Sequence, residues 1–279
     1  MSFIPIYIIE MPGSKRVELI KSQLKSLDLQ YISQEAISGK NLTESEIEDL
    51  VDLKSCDARL GYRISPNLIG SGLSHREVYK KGLKSEFDWI LILEEDVILK
   101  KFNRDIIDKA ITFTGNYPTI IQLFTRATRL VRTPPIINCE NKDFIFEFKK
   151  RIVGSGAPAY LINKAAMRLA LEVNRLDGAP DWPPWAQKVK MLCIYPWIFN
   201  ESNEGSTVSG LISIARKKYL LYRITQLFGF HYFKYRNNYN GFRSYINEEI
   251  VPYLLHILWR VKGSKYFLGD KDGPQIINI

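Results

Sequence analysis

Cysteine and histidine are scarce in this chain: three of each in 279 residues. Cys56, Cys139 and Cys193 are far apart, form no Cys-x-x-Cys pair and have no histidine nearby, so a structural zinc site is not supported. A sparse, odd cysteine count suits free thiols in a reducing compartment. Long hydrophobic runs are also missing, and nothing approaches the roughly 20 apolar residues that cross a bilayer. The start, Met1-Ser2-Phe3-Ile4-Pro5, lacks a basic region ahead of an apolar run, so no secretory signal is expected. There is no P-loop, no His-rich two-metal set, no internal repeat and no low-complexity tract. These absences predict a cytoplasmic protein, soluble or peripheral on the inner face of the cytoplasmic membrane.

What is present is an ordinary globular composition, 46% hydrophobic and 25% charged, with a formal net charge of +9. An excess of that size predicts an anionic partner. The charge is unevenly placed. From Ala215 to Ile279 there are eleven Lys and Arg against four Asp and Glu, a net of +7 that leaves only +2 for residues 1–214. The expected organisation is a catalytic domain over 1–214 and a basic, mainly helical segment over 215–279. Bases interleaved with aromatics, as in Arg216-Lys217-Lys218-Tyr219 and Leu258-Trp259-Arg260, fit a helix lying on an anionic membrane surface. They fit equally a helical subdomain packed on the catalytic domain.

The chain is organised around Trp89-Ile90-Leu91-Ile92-Leu93-Glu94-Glu95-Asp96-Val97. An unbroken apolar run reads as a strand buried on both faces. Side chains alternate along a strand, so Glu94 and Asp96 are expected to point one way and Glu95 the other. Three adjacent carboxylates repel one another unless positive charge sits among them. Two readings stand: solvated acids at a strand end, or oxygen ligands for Mg²⁺ or Mn²⁺. In open α/β sheets, ligands gather beyond the carboxyl ends of the strands.

The flanking elements fit such a sheet. Ile4–Ile9 reads as a strand, Met11–Ser14 as a turn, and Lys15–Leu27 as a helix capped by Ser14. A strand at Tyr31–Ile37 then completes a βαβ unit, expected to be parallel. Thr43 and Glu46 have capping-box spacing. Ser65-Pro66-Asn67 reads as a break, followed by a helix over about Leu73–Leu83 with Ser74 and His75 in its first turn, where free N–H groups favour anions. Further on come a helix over about Arg104–Phe113, a strand at Thr119–Leu123, an edge strand at Phe144–Phe148 and a helix starting near Asn163. Arg126, Arg129 and Arg132 read as a solvated basic loop or an acceptor contact. The Pro- and Gly-rich stretch Leu176–Trp185 reads as a loop carrying Trp182 and Trp185.

The order Gly70-x-x-Leu73-Ser74-His75, helix, then Leu93-Glu94-Glu95-Asp96-Val97 resembles glycosyltransferase family 25, the lipopolysaccharide and lipooligosaccharide glycosyltransferases. Ser71 stands where that family has Cys, and Glu95 where it has Asp. The resemblance implies an α/β, GT-A type (Rossmann-like) fold binding a nucleotide-sugar, and inverting single-displacement transfer from a UDP-sugar, mostly UDP-galactose. It implies a divalent metal, Mn²⁺ or Mg²⁺, held by Glu94 and Asp96. It implies nucleotide contacts from the first strand (Ile8), Arg16, His75, Glu94 and Glu95. The small-residue segment with Ser155 and Gly156 would let a sugar approach the backbone. Asp181-Trp182 fits the family's Asp-aromatic element, with Asp177 the competing assignment. Asp181 is the expected base, and Trp182 the expected sugar-stacking ring. The implied acceptor is a glycolipid or oligosaccharide, with no nucleic acid expected.

Two other classes fit parts of the chain. A metal-dependent phosphate-ester hydrolase or nucleotidyltransferase would also use clustered carboxylates. A non-catalytic basic membrane or nucleic-acid binding module would explain the charge of 215–279 and leave the Glu94–Asp96 strand end without a role.

Overall fold

The computed structural model describes residues 4–60, 64–124, 136–138, 143–147, 157–178 and 184–202, and two short pairs at 267–268 and 274–275. The chain opens with β1 (Ile6–Glu10), α1 (Val17–Ser26) and β2 (Tyr31–Glu35). Three helices follow: α2 (Glu44–Leu50), α3 (Leu53–Leu60) and α4 (Pro66–Lys84). Then come β3 (Trp89–Glu94), β4 (Val97–Leu99), α5 (Arg104–Thr114) and β5 (Thr119–Gln122). The rest of the described core is β6 (Ile137–Asn138), β7 (Phe144–Glu147), β8 (Ala159–Asn163), α6 (Lys164–Glu172), β9 (Lys190–Tyr195) and β10 (Phe199–Glu201). A hairpin pair, β11 (Phe267–Leu268) and β12 (Pro274–Gln275), is what is described of the basic C-terminal segment.

Eight strands form one sheet in the order β2-β1-β3-β8-β5-β9-β7-β6. The βαβ start is parallel as expected, and β1 also runs parallel to β3. Strand β8 enters antiparallel between β3 and β5. The Phe144 strand, expected at an edge, pairs with both β9 and the two-residue β6. The architecture is the α/β one read from the sequence.

The unbroken apolar run of β3 follows from burial on both sides. Trp89, Leu91 and Leu93 pack in one cluster with Val17, Ile20 and Leu24 of α1 and with Ile106 and Ile107 of α5. Ile90 and Ile92 pack in the other with Val78 and Tyr79 of α4 and Met167 of α6. Strand β1 splits the same way, Ile6 and Ile8 on the α1 face and Tyr7 and Ile9 on the α4 face. Each such Ile or Leu contributes about 1.5–3 kcal/mol on burial, which fixes both register and face.

The chain leaves β1 toward β2 on one side and returns on the other side as β3, so the β1/β3 junction is a switch point of the sheet. Their carboxyl ends, Glu10–Met11 and Glu94–Asp96, border the crevice where such folds place ligands.

Helix α4 begins seven residues earlier than the sequence suggests. Ser65 is its N-cap, accepting from Leu68 N–H, and Pro66 occupies the first turn. Gly70 and Gly72 lie inside it, at positions where a side chain would not fit. A Cβ on Gly70 would meet the backbone N of Gly39 at 2.6 Å, and one on Gly72 would meet both Leu176 methyls at 2.9 Å. Arg76 then ties α4 to the end of α6, donating to the carbonyls of Ala170 (2.9 Å) and Val173 (2.6 Å). Elsewhere Thr43 and Glu46 form the expected reciprocal cap of α2, and Asn163 caps α6.

Candidate active site

Three elements deliver side chains to the crevice. Helix α1 brings Arg16 at its N-terminus, after the Met11–Ser14 turn in which Gly13 takes φ +74°. Ser14 is not the cap; it accepts from Arg16 N–H at 3.3 Å, and Arg16 holds the N-cap position with no side-chain cap. The open first turn faces the strand ends, where its N–H groups and dipole favour an anion.

Strand β3 stops at Glu94, and Glu95 and Asp96 form a turn into β4. The alternation expected through Asp96 therefore lapses after Glu94. Glu95 and Asp96 both turn to Arg16: Nη1 pairs with Glu95 Oε1 at 3.2 Å, and Nη2 pairs closely with Asp96 Oδ2. Glu95 Oε2 also accepts the Met11 N–H at 2.9 Å, tying the ends of β1 and β3 together. The Ser202 N–H donates to the Asp96 carbonyl at 2.7 Å, and β4 pairs with β10. These contacts draw the chain out of the β3 line and carry Asp96 to the α1 face.

Glu94 goes the other way, as its place on the α4 face of β3 requires. Its Oε1 lies 3.3 Å from His75 Nε2. His75 is in the middle of α4, nine residues past the helix start, and not in a first turn. Its N–H and dipole environment is thus interior helix, and the anion-binding role expected of its backbone is withdrawn. The imidazole Nδ1 lies 2.8 Å from the Tyr160 hydroxyl, which lies 2.7 Å from the Tyr79 hydroxyl. Burial pushes the pKa of both phenols up, Tyr160 also through Tyr79, so both stay protonated at neutral pH. Ser74 has a structural role, accepting Ile37 N–H at 2.8 Å and donating to the Gly70 carbonyl at 2.7 Å.

The expected metal pair, Glu94 and Asp96, is therefore split between two faces. Among the described residues no group of three His, Cys, Asp or Glu is placed to hold a metal ion. Glu95 and Asp96 face a guanidinium, Glu94 an imidazole, and this arrangement does not fit a cation held by Glu94 and Asp96 together.

The remaining candidates distribute as follows. Ile8 is fully buried in the α1-side core, so nucleotide contact from this strand falls to its carboxyl end. Asp177 follows the Val51–Leu176 bridge on the α4 side and favours the charge on Arg76. Trp185, expected in an open loop, is buried edge-on against Tyr79 at 6.0 Å. Ser155, Gly156, Asp181, Trp182 and the Arg126–Arg132 stretch lie outside the described residues. Tyr79 and Tyr160 carried no role in the sequence. Tyr79 was readable as the residue one turn beyond His75 on the same helix face. Tyr160 had no local signal, because it reaches His75 from β8 across the sheet.

Residues 3–176 match glycosyltransferase family 25, described as an LPS biosynthesis protein family. The chain belongs to that family. It is a glycosyltransferase, and membership sets aside the hydrolase and binding-module readings. Likenesses to solved structures are more distant. A197 from STIV is 14% identical with TM-score 0.38, over 68% of this chain and 81% of that one. A glycosyltransferase involved in glycosylation of the major capsid of PBCV-1 is 12% identical with TM-score 0.29, over 60% and 63%. Galactosyltransferase LgtC, in complex with donor and acceptor sugar analogs, is 13% identical with TM-score 0.29, over 59% of each chain. The chain thus spans less than two thirds of these two glycosyltransferases. No match to a curated protein was found. No helix among the described residues is long and apolar enough to cross a membrane.

Proposed function

We propose that this family 25 enzyme transfers a hexose, galactose, from a UDP-sugar to the core saccharide of a lipooligosaccharide or lipopolysaccharide, with inversion at the anomeric carbon. The observation that carries the reading is the Arg16 guanidinium, set at the open end of α1 beside the switch-point crevice. Transfer needs positive charge on the departing diphosphate, and Arg16 is the cationic side chain that the described crevice offers.

Arg16 between Glu95 and Asp96 leaves that trio at net −1. A diphosphate entering beside it needs further positive charge, so Arg16 must change partners or a cation must join. The family resemblance implies Mn²⁺ or Mg²⁺ in that role. Glu94, beside His75 at the rim, is proposed to accept hydrogen bonds from donor hydroxyls. Asp181 is the proposed base for the acceptor hydroxyl, with Trp182 stacking on a sugar ring and the segment at Ser155 and Gly156 close to the sugar. The basic segment 215–279 is proposed to hold the enzyme on an anionic cytoplasmic membrane surface next to its glycolipid acceptor.

Calorimetric titration with UDP-galactose, UDP-glucose and UDP-N-acetylgalactosamine, in Mn²⁺ and in EDTA, tests the donor and the metal together. UDP-galactose is expected to bind tightest; weaker binding in EDTA would mean that a cation joins the site, and unchanged binding that Arg16 changes partners. Failure of all three to bind in either condition refutes the donor assignment.

A further inference from the structure

Glycosyl transfer needs an acceptor saccharide beside the donor, and the carboxyl end of β9 offers a surface for one. Ile92, Tyr160, Gln122 and Cys193 form one row across β3, β8, β5 and β9. Ile92 and Cys193 both face the α4-side core. Strands β3 and β9 run in the same direction, being related through antiparallel β8 and then β5. Two residues further on, Glu94 and Tyr195 therefore stand at one level and on one face, each at the end of its strand. Three strand spacings of about 4.8 Å put them roughly 14 Å apart, within the reach of a short oligosaccharide.

Tyr195 is one of three aromatic residues gathered there. Phe144 pairs with it from β7, and Trp197 follows it past the exposed Pro196. All three are partly buried and pack against the α4-side cluster, so each is anchored on the core and keeps part of its surface in solvent. The Trp197 ring meets Tyr195 at 5.4 Å and Phe124 at 6.3 Å, both nearly edge to face. These contacts hold the indole in place, so a ligand stacking on it has little further side chain to order. Single exposed aromatics are ordinary on a protein surface. Three on neighbouring strands, at the ligand end of the sheet and on the face of Glu94, make a platform. A hexopyranose suits it, because the C–H groups on one face of the sugar are apolar and slightly positive and the face of an aromatic ring is negative.

We propose that Trp197, with Tyr195 and Phe144 beside it, is an acceptor subsite that stacks on a neutral hexopyranose of the acceptor saccharide and points the rest of that saccharide toward Glu94 and Arg16. The inference rests on the acceptor reading above and deepens it, by giving the acceptor a binding surface at the opposite end of the crevice from Arg16.

The test uses the full chain labelled with 5-fluorotryptophan and read by ¹⁹F spectra. The chain has five tryptophans, and Trp197→Phe identifies the signal of Trp197. Lactose and methyl β-galactoside probe the subsite, and UDP probes the donor site. Both saccharides are expected to shift the Trp197 signal. Trp197→Leu should weaken lactose by about tenfold, the upper scale of one aromatic stacking contact, and Trp197→Phe should weaken it less, with UDP affinity as in wild type. Melting curves check the fold; if Trp197→Leu does not fold, the wild-type shift and Tyr195→Leu, expected to weaken lactose by a smaller factor, decide. A Trp197 signal unmoved by both saccharides up to their solubility, or lactose affinity equal in wild type and the folded Leu variants, overturns the proposal. UDP binding without any saccharide response overturns the subsite and leaves the donor-site reading standing. A saccharide shift at Trp197 in a protein that binds no UDP supports the subsite and overturns the donor-site reading instead.

Discussion

Replacing Gly70 by Ala adds one methyl group to the middle of α4, and helix propensity alone favours the change by about 1 kcal/mol. The surroundings oppose it. The new Cβ would lie 2.6 Å from Gly39 N, where ordinary contact begins at 3.4 Å, and closer still to the Ile37 carbonyl oxygen. Relief requires helix and loop to separate by at least about 0.8 Å, the difference between those two distances. Both walls are backbone, so no rotamer change relieves the clash. Overpacking in a tight core costs typically 1–3 kcal/mol, sometimes more, and an all-backbone clash belongs at the upper end. The net expectation is a loss of about 2 kcal/mol, which for a chain of this size lowers the melting temperature by roughly 4–8 °C. The same displacement stretches the 2.8 Å bond from Ile37 N–H to Ser74 and draws His75 away from Glu94. Gly72→Ala is the control. Its Cβ meets only the ends of the Leu176 side chain at 2.9 Å, which can turn aside, so its melting temperature should fall less. Calorimetric melting of wild type, Gly70→Ala and Gly72→Ala reads the ranking. A Gly70→Ala protein as stable as wild type, or a Gly72→Ala protein more damaged than Gly70→Ala, refutes the account of α4 packing.

Arg16→Met removes the guanidinium that Glu95 and Asp96 share. It should weaken UDP-sugar binding by about tenfold or more, the scale of a charge-assisted bond, and lower the urea midpoint. Adding Asp96→Asn should restore part of the stability but none of the binding, and a midpoint unchanged by Arg16→Met would show the ion pairs to be inert. Thr43→Ala removes the reciprocal cap of α2. The Thr43 backbone and side-chain hydrogen bonds hold the Glu46 carboxyl below its ordinary value of 4.5. A depressed carboxylate stabilises the fold above its unfolded pKa and loses that effect as pH falls through the folded one. The wild-type advantage over Thr43→Ala in urea melts should therefore be present at neutral pH and shrink as pH drops below about 4.5. An advantage that grows on acidification would contradict the sign.

Local sequence was enough for several features. The run Trp89–Leu93 announced a strand buried on both faces because no polar residue interrupts it, and both core clusters claim its side chains. The spacing of Val17, Ile20 and Leu24 gave α1, and Thr43 with Glu46 gave the α2 cap. The motif from Gly70 to Val97 pointed to the family that residues 3–176 match. These signals are short-range: a helix face, a cap and an apolar run are each complete within a dozen residues.

Tertiary structure decided what those signals could not reach. Glycine reads as a helix breaker by propensity, yet Gly70 and Gly72 lie inside α4 because Gly39 and Leu176, distant in sequence, leave no room for a side chain. Strand alternation placed Asp96 with Glu94 only while the ladder lasted; the turn after Glu94 and the pull of Ser202 put it with Glu95 on Arg16. Trp185, read as a loop residue, is apolar core because α4 brings Tyr79 against it. The partners of His75 are likewise a product of assembly. Residue type made His75 a candidate, but its hydrogen bonds depend on β8 lying antiparallel beside β3, with Tyr160 opposite Ile92. Sequence by itself set which segments become strand or helix and which residues carry charge. Which charges meet was set by strand order and by the two faces of the sheet, since both bring together residues some eighty positions apart.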